Sequence, residues 1–320
     1  MDIFEKVRSS TKKVTEKAQF IKLNFEKLED LSKRLNPKEI KKFYKYEGDF
    51  YYKGEGGIFL NYIVTLNALT FDAGLSKEFK EKIKRKESTF KVVASLLKEQ
   101  VQQGESLDVN FAKNINSQKL GKMLGVDPAF ELIGMYVQSL NELGSFISKS
   151  YGSYSNFINS FNAQSRANGI VNSLYENLSF YKDKAEYNGF TVFFLKRAQL
   201  LANDIYLAFK GKGYGDIKDI NNLTMFADNL IPHFFRIEGV LEYEKDLVQR
   251  IEKEEIIPFG SKEEVEIRAF GVQCIEKLRE LLNKRNPLIM SSEIDWYLWE
   301  KTQHPKYKSI PRHKTPTFFY

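Results

Sequence analysis

Residues 58–74, IFLNYIVTLNALTFDAG, are apolar on nearly every side when wound at helical spacing. A helix without a polar stripe is stable only if neighbours cover it all round, so this segment predicts several helices packed about it. Gly54, Gly56 and Gly57 form a loop before it, and Gly74 marks its expected end.

The rest of the chain supplies such neighbours. Phe4, Val7, Val14, Ala18 and Ile21 recur three or four residues apart, with Thr11 in the remaining slot, and predict an amphipathic helix. Asn36 and Pro37 interrupt that pattern, and proline at a first helical position suits a restart over residues 39–46. Further helices are expected over residues 90–103, 117–124, 130–151 and 155–176, punctuated by Gly104, Pro128 and Gly152. Residues 179–189 read as a loop or short hairpin, and GKGYG at 211–215 as a helix stop followed by a tight turn. Ser261 with Glu264 forms a capping-box pattern, opening a helix that carries Val265, Ala269, Val272, Ile275 and Leu278. The expected fold is mainly α, as one domain over residues 1–320, with an N-terminal helical part of about 1–125 merged with a C-terminal catalytic part of about 126–320.

Charge and cysteine usage narrow the chemistry. Lys plus Arg number 49 against 42 Asp plus Glu, a net +7. That excess attracts anions such as phosphates without marking a dedicated nucleic-acid binder, and solvated Lys-rich helices produce the same number. A lone Cys274, at an apolar helix position, excludes an internal disulfide framework and a thiolate zinc site. His233 and His304 lack ligand-spaced partners, so no metal is expected. No uncharged apolar run approaches membrane length, and MDIFEKVRSSTKK has no signal-peptide core, so a soluble cytoplasmic protein is expected.

The stretch from Thr191 to Tyr243 holds the parts of a nucleotide site. A basic pair, Lys196 and Arg197, leads through an amphipathic helix and a glycine-rich turn to Phe226, Ala227 and Asp228. Four short segments stand in order: KRAQ from Lys196, LTMFAD from Leu223, EVEIR from Glu264 and IDWYLW from Ile294. On these segments the chain resembles the queuosine salvage family, the queuosine 5'-phosphate N-glycosidases. The resemblance implies a helical architecture similar to that of DNA glycosylases and hydrolysis of queuosine 5'-monophosphate to free queuine. It implies no cofactor, no metal, no membrane association and no stable nucleic-acid complex.

Cleaving a ribose–base bond passes through an oxocarbenium-like state, which calls for a carboxylate near the anomeric carbon and help for the departing base. A 7-deazapurine lacks the nitrogen at position 7 on which purines are usually protonated, so that help must come from elsewhere. The resemblance puts Asp295 beside the ribose, as charge stabiliser or water activator, and Asp228 against the base, with the two roles interchangeable. Without it, a helix N-cap is the favoured reading of Asp228. Asp295, among Ile294, Trp296, Leu298 and Trp299, lies in apolar company that raises a carboxyl's proton affinity. Phe226 is the expected stacking partner of a flat base, although a phenylalanine beside Met225 and Leu223 is more often core. Lys196 and Arg197, with His313 and Lys314, are candidates for a 5'-phosphate, against a solvated basic face as the plainer reading. Glu300 is a candidate for the substrate's amine or diol, or an exposed helix end. Asn229 and Asn67 complete the candidate substrate contacts; at Asn67, Thr70, Asn229 and Pro316 the chain departs from the family pattern. Glu266 and Arg268, two apart, are expected to diverge, one bracing the pocket and the other facing solvent. Two other functions fit these features: a catalytically altered member that binds a queuine-like base, and a DNA-binding repair glycosylase.

Overall fold

The computed structural model describes residues 2–85, 87–285 and 288–320. It is predominantly helical, and the strands among the described residues form two short antiparallel pairs. By contact density the chain falls into two units that interleave in sequence. The first comprises Met1–Lys45, Asp183–Gln199 and Asp219–Pro316, and the second Tyr46–Lys182, Leu200–Lys218 and Thr317–Tyr320.

In the second unit the apolar helix is Gly56–Ala68, with every residue from Phe59 to Ala68 buried except Asn61. It stops short of the expected Gly74. The hydroxyl of Thr70 donates to the Asn67 carbonyl at 2.8 Å and that of Ser139 to the Ala68 carbonyl at 2.8 Å, so side chains take the acceptors that a further helical turn would use. Glu131–Ser150 passes close to Val109–Asn114 because Gly144 has no side chain; a Cβ there would lie 2.4 Å from the Lys113 nitrogen. The helix expected over 155–176 is broken into Tyr154–Asn159, a 3-10 turn Ala163–Ser165, and Arg166–Asn177. Phe161 folds back over Gly169, whose missing Cβ makes room for the ring, and Asn162 caps the turn through Gln164 N–H at 2.9 Å.

The first unit is built on Lys262–Asn283, capped by Ser261, whose hydroxyl accepts from Glu264 N–H at 3.2 Å. This helix buries 14 of its 22 residues, so it runs through the unit as a spine. Both Glu266 and Arg268 are fully buried, which corrects the expectation that one of them faces solvent. Glu266 accepts N–H bonds from Gln19, Phe20 and Ile21 at 2.9, 2.7 and 3.2 Å, and the Tyr187 hydroxyl at 2.8 Å. That carboxylate explains a second correction. The first helix, Ile3–Thr15, does not reach Ala18 or Ile21, because Glu266 holds residues 19–21 extended and Ile21–Leu23 pairs with Leu241–Tyr243. The loop or hairpin expected over 179–189 is a hairpin, Lys184–Tyr187 with Phe190–Phe193, turned by Asn188 and Gly189 at φ 46° and 84°. Sequence periodicity did not show Ser76–Ile83, Val109–Asn114 and Lys245–Glu252, which are too short for a repeating apolar face to stand out.

Candidate active site

Residues 223–228 form an extended segment in the first unit, and side chains from three helices hold its backbone. The Gln199 carboxamide accepts Thr224 N–H at 2.9 Å and donates to the Thr224 hydroxyl at 3.0 Å and the Phe194 carbonyl at 2.9 Å. Phe226 N–H donates to Asp295 Oδ2 at 3.1 Å, and the Ala227 carbonyl accepts Arg268 Nε–H at 2.9 Å. Three backbone groups of the segment, Thr224 N–H, Phe226 N–H and the Ala227 carbonyl, thus find side-chain partners in place of a sheet.

The segment ends at Asp228, between two demands. Its Oδ1 accepts Leu230 N–H at 2.8 Å in a local turn, while the N-cap position of the Leu230–Ile237 helix falls to Asn229, one residue later than expected. Its Oδ2 lies 3.7 Å from Lys196 Nζ, and each of these side chains keeps 12% of its surface exposed. The local turn bond and the ion pair of Asp228 thus use different oxygens.

Lys196 opens the Lys196–Ala208 helix. Its N–H donates to Asp183 Oδ2 at 3.0 Å, and the same oxygen accepts Arg268 Nη2–H at 2.7 Å. Leu195, immediately before it, is buried with φ 57°, a left-handed conformation that costs a non-glycine residue about 1 kcal/mol or more. Asp183, Arg268 and Phe194, whose ring lies 3.9 Å beneath the guanidinium, thereby fix where Lys196 enters the cluster.

Asp295 stands on Ser291–Lys301, buried on the same face as Ser291, Ser292 and Leu298. Burial pushes its carboxyl well above the usual carboxylate range, and the charge of Asp228 pushes it further; Phe226 N–H and Lys196 pull the other way. Asp228, Lys196 and the Phe226 N–H thus all act on Asp295, and Phe226 itself is 4% exposed. This arrangement can exchange a proton through Asp295 beside a carboxylate whose charge Lys196 offsets.

The other candidates make contacts of their own. Asn229 donates from its carboxamide to the His313 carbonyl at 3.3 Å, tying the C-terminal segment to the start of the Leu230–Ile237 helix. The ring of His313 is buried, and desolvation with Arg312, Arg268, His233 and Arg236 nearby drives its pKa down to about 3. At neutral pH it offers a hydrogen bond and no charge. Desolvation likewise takes His233 to about 4, with Nε2 against the Tyr307 carbonyl at 2.9 Å. Arg197 is buried and Lys314 is exposed; the Lys314 carbonyl accepts Ile257 N–H at 2.9 Å, so residues near 314 fold back onto the unit. Glu300 sits exposed near the helix end. Asn67 belongs to the second unit, where it is buried and accepts from the Tyr181 hydroxyl at 3.0 Å.

Sequence reasoning missed Asp183, Gln199 and Thr224. Gln199 stood within a quoted motif, but neither its partner 25 positions away nor that of Asp183, 85 positions away, leaves a local pattern. Among the described residues no group of three or more His, Cys, Asp or Glu could hold a metal ion. Surface hollows of about 530 and 350 Å³ lie in the second unit, one lined by Lys119, Lys122 and Pro128 and the other by Phe209 and Tyr214, and neither is lined by a carboxylate.

Comparison with known proteins supplies the family. A protein from Sphaerobacter thermophilus named queuosine 5'-phosphate N-glycosylase/hydrolase is 28% identical over 98% of this chain and 97% of its own length. Proteins of the same name from Dictyostelium discoideum and Mus musculus are 36% and 34% identical, over 58% and 57% of this chain and 57% and 56% of theirs. The family profile described as queuosine salvage protein matches residues 51–320, a span that contains Lys196, Phe226, Asp228, Arg268 and Asp295. With that match over most of its length, the chain belongs to the queuosine salvage protein family.

Proposed function

We infer that this chain hydrolyses the N-glycosyl bond of queuosine 5'-phosphate and releases queuine. It is a hydrolase acting on a small-molecule nucleotide, as the names of its relatives state for them. The observation that carries the reading is Asp295, a buried carboxyl with raised proton affinity, held on the backbone of Phe226 beside Asp228 and Lys196.

In the proposed reaction Asp295, once ionised, takes a proton from a water molecule whose oxygen attacks the anomeric carbon. The carbon–nitrogen bond breaks, its electron pair leaves with the base, and the base is protonated from solvent. Burial and the charge of Asp228 raise the proton affinity of Asp295, so the ionised carboxylate is a stronger base than an exposed one. The fixed charge of Asp228 favours the developing positive charge on the ribose. Phe226 offers a ring for the flat base, and Lys196 a cation for the phosphate. In this reading the buried Arg197 and His313 and the exposed Lys314 serve the phosphate, the exposed Glu300 meets the amine or diol, and Asn229 is a further substrate contact. Free nucleotide suffices as substrate, without a nucleic-acid partner. The same reading puts the reaction in the cytoplasm, supported by the buried free thiol of Cys274.

The test is incubation of the purified protein with queuosine 5'-phosphate and with queuosine, following free base by chromatography and mass spectrometry. Release from the nucleotide, lost in Asp295→Asn, is expected. Tight binding of the free base with no release from either compound would overturn the hydrolase reading in favour of a binding protein.

A further inference from the structure

The guanidinium of Arg8 touches the chain that leads into the 223–228 segment and, through Glu276, is linked to the helix that carries Asp295. It lies on the Ile3–Thr15 helix, outside the region matched by the family profile. Its Nη2 donates to the Asn222 carbonyl at 2.7 Å and the Leu223 carbonyl at 3.4 Å, the residues that lead into the 223–228 segment. Its Nε donates to Glu276 Oε2 at 3.0 Å, and the other oxygen of Glu276 accepts the Ser291 hydroxyl at 2.7 Å. Ser291 is the first residue of the helix that carries Asp295, four positions on and on the same face.

We propose that Arg8 is a positioning residue for the reaction, setting through Glu276 and Ser291 the placement of the Asp295 helix against the Phe226 segment. The chain of contacts is closed. One end of the segment is held by Arg8 and its middle by Asp295, while the helix bearing Asp295 is held by Glu276, which Arg8 also holds. A planar fork with several donors in fixed directions can serve both partners at once, which a lysine ammonium cannot do with the same geometry. The Ile3–Thr15 helix is itself anchored, since Gln273 donates to the Arg8 carbonyl at 3.1 Å and to the Thr11 hydroxyl at 2.8 Å. Arg8 is thus a fixed point from which the site segment is hung. An ångström of misplacement far from the chemistry lowers turnover by up to about 100-fold.

This inference rests on the assignment of Asp295 to the reaction, and the experiment separates the two. Steady-state kinetics on queuosine 5'-phosphate are measured for the parent, Arg8→Lys, Ser291→Ala, Asp295→Asn and the Arg8→Lys/Asp295→Asn double variant, each at a temperature where circular dichroism shows it fully folded. Arg8→Lys is expected to lower kcat on the order of 10-fold with KM within about twofold, Ser291→Ala to lower kcat by a smaller factor, and Arg8→Lys to add nothing in the Asp295→Asn background. A melting point lowered in Arg8→Lys with kcat per folded molecule within about twofold of the parent would make Arg8 structural only and overturn the proposal. Should Arg8→Lys fail to fold, Ser291→Ala decides by the same criterion. Parent-like turnover in Asp295→Asn would overturn the active-site reading itself; an inactive Asp295→Asn beside a parent-like Arg8→Lys removes the positioning role alone.

Discussion

Replacing Asp295 with asparagine separates chemistry from stability at this site. Asparagine keeps the shape and an oxygen that can accept Phe226 N–H, which the carboxylate receives at 3.1 Å. It removes the charge that burial and Asp228 both disfavour. Loss of a general base costs about 100- to 10,000-fold in rate, roughly 2.7–5.4 kcal/mol at about 1.36 kcal/mol per tenfold. Stability should move the other way. Because the folded-state pKa of Asp295 is raised, the native state holds this proton more tightly than the unfolded chain does. Its stabilising contribution is therefore full below the ordinary carboxylate range and is lost as pH rises through the raised folded value. The asparagine variant lacks that loss, so at neutral pH it should melt no lower than the parent, and its melting point should depend less on pH. The assay is base release under single-turnover conditions, with thermal unfolding at several pH values. Activity within about tenfold of the parent would refute the base role. A melting point more than about 5 °C lower at neutral pH would refute the electrostatic account of the site.

Lys196→Met removes a charge that lowers the proton affinity of Asp295, so the acid limb of the kcat profile should shift to higher pH, and the preference for nucleotide over nucleoside should narrow; an unmoved limb counts against the cluster. Phe226→Ala should raise KM by about 5- to 150-fold, the equivalent of roughly 1–3 kcal/mol of stacking, whereas an unchanged KM with a lowered melting point would assign the ring to the core. Arg268→Met leaves Asp183 and Glu264 buried without their cation and should cost about 3–5 kcal/mol in denaturant unfolding; a loss below about 1 kcal/mol would mean that the pair is not the brace described.

Much of this protein follows from local pattern. The all-apolar run around Leu60, the Ser261 cap and the Asn188-Gly189 turn depend on residues a few positions apart, so helices and hairpin are legible from neighbours alone. The order of the motifs marked Lys196, Phe226, Asp228 and Asp295, and the apolar company of Asp295 foretold its burial. What a linear reading could not supply is which polar groups meet. That Glu266 turns toward residues 19–21, that Asp183 receives both Lys196 N–H and Arg268, and that Arg8 reaches Asn222 and Glu276 are decided by the packed helices. Hydrophobic burial is written in periodicity because it is non-directional. A hydrogen bond across 200 residues is directional, and only a completed backbone brings its donor and acceptor into line.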